Sequence, residues 1–278
     1  MPSYDTPKPI AAVIEFSIGT ARIAASDRAD TVVDVHPADP ASDADVKAAA
    51  QTKVTCGGGV LTVKGPRRNG PFGRVGGVDV TVSLPSGSSL EATAQLGDLH
   101  CTGRLGETRL RTSVGDLNVE QTTAARLRGE LGMIRLDHAT ADSEIVGAGR
   151  ITVGTVDGDL KVKNGNGDTE VAEVLGTLEA SAANGSLHVG IARGDVEAKS
   201  AFGGIRLDRV ARGTVTLRGS AGDLEVGIPD TTAAWLDVHT KMGVLRNTLG
   251  SAEGPGDAAD TVEISARTSL GDIHIRRA

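Results

Sequence analysis

A unit of about nine residues recurs through the middle of this chain, and it decides what the chain can fold into. The unit is Gly-x-apolar-x-apolar followed by a short polar turn. It opens at Gly97 (Asp-Leu-His-Cys), Gly106 (Glu-Thr-Arg-Leu) and Gly115 (Asp-Leu-Asn-Val). It returns at Gly132, Gly149, Gly158, Gly167, Gly176, Gly185, Gly194, Gly203, Gly213 and Gly222. Two units between Gly115 and Gly149 are irregular; Leu127 and Ile145 are expected to keep inward positions there, with the register open. Apolar residues alternate with period two, so each unit is a strand and not a helix. Leu99 with Cys101, Leu117 with Val119, Leu160 with Val162, Leu187 with Val189 and Leu224 with Val226 should face a core. The residue between each pair should point out, and it is mostly polar: His100, Arg109, Asn118, Arg135, Lys161, Glu179, Glu197 and Arg206.

Alternate units differ. One series is preceded by Ser or Thr, as in Thr93-Ala-Gln-Leu-Gly97, Thr112-Ser-Val-Gly115, Ser181-Ala-Ala-Asn-Gly185, Ser200-Ala-Phe-Gly203 and Thr268-Ser-Leu-Gly271. A second period of about 18 residues follows, which makes one coil of two strands and two turns. Some eight coils would then stack at about 4.8 Å, over roughly 40 Å, with parallel strands in two sheets packed face to face. Only 2% of the residues are aromatic, so the core must be thin and built from Val, Leu, Ile and Ala. The glycine opening each strand is expected to turn the corner with positive φ. The aspartates that follow it (Asp98, Asp116, Asp159, Asp168, Asp195, Asp223 and Asp272) are expected to bond backbone N–H groups of the turn. The fold expected is all-β: a single-domain parallel β-helix, or β-solenoid, over 1–278.

Residues 1–92 leave the strict repeat and read as opening coils plus a cap. Strands are expected in 12–25, 31–36, 60–64 and 77–84. Ser42–Thr52 reads as a short helix, with Ser42 or Asp43 as N-cap and Ala48, Ala49 and Ala50 in its body. The regular repeat occupies 93–228, and 229–278 forms the other end. There Pro229 ends the run, Trp235 is expected to cap the terminal coil, 251–260 is a loop, and 261–267 and 271–276 close the stack.

The net charge of -7 argues against nucleic acid as partner. The best basic cluster, Lys64, Arg67, Arg68 and Arg74, sits in a Pro/Gly-rich stretch and reads as a solvated loop. Cys56 and Cys101 are too few for a disulfide framework; they read as free thiols, although the fold could bring them together. No basic, apolar leader opens the sequence and no apolar run approaches the roughly 20 residues of a membrane span. The expectation is a cytoplasmic protein without membrane insertion.

The unit Ser/Thr-x-x-Gly-Asp-Leu/Ile-x-Val resembles a large bacterial family of β-strand-repeat proteins, DUF4097, often labelled "putative adhesin". The resemblance is strongest over 96–226 and returns at 236–247 and 266–276, where Ala-Arg-Thr-Ser-Leu-Gly-Asp-Ile-His-Ile-Arg-Arg is similar to the family's closing motif. The N-terminal third is also similar, including Asp45-Val-Lys-Ala-Ala-Ala. The resemblance implies a parallel β-helix and is nearly silent on activity.

Three kinds of chemistry are conceivable on such a repeat. A calcium β-roll needs Gly-Gly-x-Gly-x-Asp in successive turns. Asn164-Gly-Asn-Gly-Asp168 approaches it once, and Val156-Asp157 and Glu173-Val-Leu175 do not repeat it. Paired carboxylates could act on glycosidic bonds. Glu179 and Glu197 lie one coil apart in the same outward column, where polar residues must stand in any case. His100, His188 and His274 share a repeat position many coils apart, and His138 and His239 have no paired ligand spacing. No nucleophile elbow, phosphate loop or dinucleotide fingerprint is present. The expectation is therefore a non-catalytic structural or protein-interaction scaffold. It has no catalytic, cofactor or metal residues, and it works through an unknown protein partner or through self-association at the solenoid ends. The alternative is a polysaccharide-binding or polysaccharide-acting β-helix.

Overall fold

The computed structural model describes residues 2–66, 76–250 and 259–278. Arg67, Arg68 and Arg74 of the basic cluster, and most of the loop expected at 251–260, lie outside the described residues. The fold is mostly β with one short helix, and its repeat folds as a parallel β-solenoid. The chain divides into two compact units, Met1–Ala139 and Thr140–Ala278.

Each coil is two strands, and a strand pairs in parallel with the one two units on. In the second unit Leu160–Asn164 pairs with Leu178–Asn184, which pairs with Val196–Phe202 and then Gly213–Ala221. The opposite sheet runs Ile151–Val156, Thr169–Val174, Leu187–Ala192, Ile205–Val210 and Leu224–Ile228. The expected inward residues are all buried, including Leu99, Cys101, Leu117, Val119, Leu160, Val162, Leu187, Val189, Leu224 and Val226. Apolar side chains thus stack on their own kind from coil to coil, which keeps so thin a core dry.

The irregular stretch keeps this pattern. Leu127 lies over Leu110 and Ile145 pairs with Val162, both fully buried. The register was hidden because Thr123 and Ala141 stand where Gly106 and Gly158 stand in the neighbouring coils. That exchange corrects the expectation about glycine. Positive φ is confined largely to one corner of the coil, at Gly115, Gly132, Gly149, Gly167, Gly185, Gly203, Gly222 and Gly271. Gly185 shows why nothing else serves there: φ is 123°, and a Cβ would lie 2.2 Å from the Gly167 carbonyl oxygen. At the other corner Gly106, Gly158, Gly176 and Gly194 do not have positive φ, although Gly213 does, and the backbone there accepts Thr123 and Ala141 in their coils.

The corner aspartates also differ from expectation. Each carboxylate accepts from a backbone N–H of the next coil rather than of its own turn. Asp98 Oδ1 accepts from Asp116 N–H at 2.8 Å and Asp116 Oδ1 from Met133 N–H at 2.8 Å. In the second unit Asp159 accepts from Thr177 at 2.7 Å, Asp195 from Thr214 at 2.7 Å, Asp223 from Asp272 at 2.8 Å and Asp272 from Val244 at 2.8 Å. The Ser/Thr series splits as well. Thr112 and Thr268 point inward and donate to corner carbonyls (Gly97 and Gly222), whereas Thr93 and Ser181 lie one position earlier and are not buried.

The edges of the two units are built differently. In the first, Ala11–Glu15 and Ile18–Ser26 lie between Ser89–Leu105 on one side and the strands Val60–Lys64 and Val78–Pro85 on the other. Outside those come antiparallel strands, Asp30–Pro37 on Val78–Pro85 and Lys53–Gly57 on Val60–Lys64, with the short Ser3–Asp5 beyond. The helix is Asp43–Gln51; Ser42 is its N-cap and accepts from Asp45 N–H, while Asp43 lies in the first turn. In the second unit the C-terminal strands Asp260–Leu270 and Ile273–Arg277 do not close the stack. They insert between Gly213–Ala221 with Leu224–Ile228 on one side and Thr232–Met242 with Leu245–Asn247 on the other. Trp235, expected as a cap, stands on the outermost strand with 63% of its surface exposed.

Candidate interaction surfaces

The outer sheet faces carry ladders of ion pairs. Glu179 and Glu197 are cross-strand neighbours, as their spacing required. Each is held by a lysine: Lys161 Nζ lies 2.6 Å from Glu179 and Lys199 Nζ lies 2.6 Å from Glu197. The hydrogen bond from Lys199 holds the Glu197 carboxyl below its usual range, and the bond to Glu179 raises the Lys161 ammonium. A general acid needs the opposite shift. Asp168 accepts from Ser186 N–H (2.9 Å) and Ser186 Oγ (2.7 Å), and these bonds lower its pKa. That carboxylate is thereby committed to the next coil, and Asn164 Nδ2 donates to the Gly149 and Gly167 carbonyls, both at 2.9 Å. Among the described residues no group of three His, Cys, Asp or Glu side chains could hold a metal ion.

The histidines separate as their spacing implied. His188 meets Asp208 at 2.7 Å and His100 meets Asn118 at 3.1 Å. Burial opposes ionisation of Asp208, but hydrogen bonds from Arg206 and His188 win and hold its pKa low. Both cysteines are free; Cys101 is buried, which pushes its thiol up to about 12, and Cys56 is half-buried.

Two surface features remain. In the first unit Leu96, Val114 and Leu131 stand in register on successive coils, just before the positive-φ corner. They are 48%, 41% and 60% exposed. Arg111 and Arg128 stand in register beside them. In the second unit a groove of about 650 Å³ runs along the sheet before the same corner. Its cations are Lys163, Lys199 and Arg218, its floor includes Gly165, Ala183 and Ala201, and no carboxylate lines it among the described residues.

A family model described as Toastrack DUF4097 matches residues 13–276. The chain belongs to the DUF4097 family. Among solved structures, a putative adhesin from Bacteroides fragilis is 11% identical, with 99% of this chain and 95% of that one covered and a TM-score of 0.38. A putative lipid binding protein from Parabacteroides distasonis is 12% identical, with 100% and 95% covered and a TM-score of 0.36. A putative cell adhesion protein from Clostridium sporogenes is 9% identical, with 100% and 98% covered and a TM-score of 0.24. At these scores the neighbours' names remain theirs. No functionally curated protein matches the chain.

Neither surface of this DUF4097 chain was singled out from its sequence. The signal for the apolar ladder was present, since Leu96, Val114 and Leu131 each precede a corner glycine. In a strand of period two such a residue reads as one more core position, and only the corner turns it outward. The groove needed residues from five coils, which no linear pattern joins.

Proposed function

We propose that this chain is a non-catalytic interaction scaffold of the adhesin type, which holds a partner protein against the first unit. The observation that carries it is the in-register ladder Leu96, Val114 and Leu131, large apolar side chains left in water at the spacing of the coils. Exposed apolar rows of this kind mark contact surfaces. Beside the row Arg111 lies 3.7 Å from Glu130, while Arg128 stands in register with Arg111, so the row carries one cation more than acid and favours a partner segment that pairs apolar residues with a carboxylate. The test is capture from the native host with the full chain and with a Leu96→Ser/Val114→Ser/Leu131→Ser variant, both quantified by mass spectrometry. The reading expects one protein retained by the native chain and lost by the variant at unchanged melting temperature. Identical capture by both would overturn it.

The alternative, polysaccharide binding, is favoured by one observation: a groove lined by Lys163 and Arg218, with Lys199 held by Glu197, suits a uronate- or sulfate-bearing chain. Binding of acidic but not neutral glycans, lost in Lys163→Gln/Arg218→Gln, would move the function there. The cytoplasmic placement expected from sequence is part of the first reading only if the partner is intracellular; fractionation of the host decides that point.

A further inference from the structure

The outermost strands of the second unit are unpaired along one side. Thr232–Met242 pairs with Asp260–Leu270 and with no other strand among the described residues, and Leu245–Asn247 pairs with Ile273–Arg277 alone. The core is also unfinished there. Ile264 and Ala266 are completely buried, while their cross-strand partners Leu236 and Val238, on the same inner face, are only half-buried. Trp235, Met242, Val244 and Leu245 are exposed around them. A row of free N–H and C=O groups beside an open apolar core is a template for another strand.

We propose that this edge pairs with the same edge of a second copy of the chain, through a two-fold axis that passes by Val238. A strand pairing with its own copy about a two-fold is antiparallel, and facing residues have numbers that add to a constant. Inner faces must meet inner faces, so odd residues oppose odd ones. The axis can then pass by Asp237, Val238 or His239. An axis at Asp237 sets that carboxylate against itself. An axis at His239 sets the two imidazoles against each other and moves Trp235 opposite Gly243. The axis at Val238 sets Asp237 opposite His239 and Trp235 opposite Lys241, each twice. Acid faces base, and ammonium faces indole. On the inner face Leu236 then meets Thr240, and Val238 meets its own copy, which continues the core across the junction. Such a pairing uses up both edges and closes as a dimer. It rests on the edge itself and does not depend on the scaffold reading.

The test uses the full chain with Cys56→Ser, so that the remaining native thiol is the buried Cys101. Sedimentation should give a dimer, with blue-shifted emission from Trp235, the single tryptophan, relative to a dissociated sample. Cysteines facing each other across a two-fold lie about 4.5–5.5 Å apart at Cα, within disulfide reach. Val238→Cys should therefore cross-link to a covalent dimer under mild oxidation, and Asp237→Cys and His239→Cys should not. His239→Asp should weaken dimerisation about tenfold or more by opposing two carboxylates, and Asp237→His/His239→Asp should restore it. Arg267, whose guanidinium donates to Asp237 at 2.6 Å in the native chain, keeps a carboxylate neighbour in the exchanged pair, since His239 is its cross-strand partner. A chain that stays monomeric at high concentration overturns the proposal. A dimer cross-linked through 237 or 239, or one indifferent to His239→Asp, overturns this register.

Discussion

The two units finish their sheets in different ways. In the first, the outer parallel strands are covered by antiparallel ones, and the helix Asp43–Gln51 packs against the strands Asp30–Pro37 and Val78–Pro85. Val33, Leu61, Val80 and Val82 are completely buried as a result. In the second, the last strand in space keeps the parallel sense of the repeat and has nothing beyond it among the described residues; Leu236 and Val238 are left half in water. Reversing strand direction at an edge ends a parallel ladder, because the next coil can no longer be added in register. Continuing in the same direction leaves the ladder ready for more. The first unit is built to stop and the second is built to receive.

The largest effect should come from a charge placed in each edge. Leu61→Asp puts a carboxylate at a site with no exposure and should cost several kcal/mol, about 3 or more, lowering or abolishing the melting transition of the first unit. Leu236→Asp, measured at a dilution that keeps the chain monomeric, should cost about 1 kcal/mol or less because water already reaches that site. Equal losses would erase the distinction between the edges. Hydrogen exchange sharpens it next. Amides of 232–242 should exchange in the dilute protein far faster than those of 78–85, which are bonded on both sides. Comparable protection would mean that the outer strand is covered in some other way.

How much of this was legible in the sequence depends on whether neighbours in space were neighbours in sequence. Leu160, Val162, Leu187 and Val189 could be placed by counting, since each coil follows the last. The helix could be placed too, because Ser42 and the run of alanines act within one turn. The insertion of 260–277 between earlier strands could not: Asp272 follows Met242 and Gly243 by some thirty residues yet bonds Asp223 on one side and Val244 on the other. No local pattern records which coil a strand joins. Trp235 was misread for that reason. The candidate sites fared similarly. Glu179 and Glu197 were rightly placed side by side, but Lys161 reaches Glu179 from the preceding coil and Lys199 reaches Glu197 from two residues along its own strand, which the repeat alone does not announce, and the ladder Leu96, Val114 and Leu131 shares the period-two parity of the core.

Smaller effects test the edges further. Ser42→Ala removes the N-cap of the covering helix and should cost about 1 kcal/mol, seen as a shift in the first unit's melting alone. Acid should act mainly on the second unit. Asp168, Glu197 and Asp208 are held below their usual range there, against Asp30 in the first. A carboxylate with a lowered folded pKa contributes stability above its unfolded value, ~3.9–4.3, and loses it as pH falls through the folded value. Melting temperature should therefore decline slightly below about pH 4, and more for the second unit than the first. The decline is small because these groups are largely exposed, and its absence would mean that their hydrogen bonds are exchanged for water at no cost.

The corner aspartates carry a consequence for how the chain can change length. Each carboxylate reaches one coil ahead, so the bonding pattern is unaltered by any insertion or deletion that equals a full turn of the spiral. A change of half that length swaps the two corners. It would bring residues such as Thr123 and Ala141 to a backbone conformation that only the glycine column tolerates. Lengthening by whole turns is structurally silent, while lengthening by one strand is forbidden. Related chains should accordingly differ in size by quanta of about 18 residues, each quantum extending the reach of the molecule without redesigning its interior.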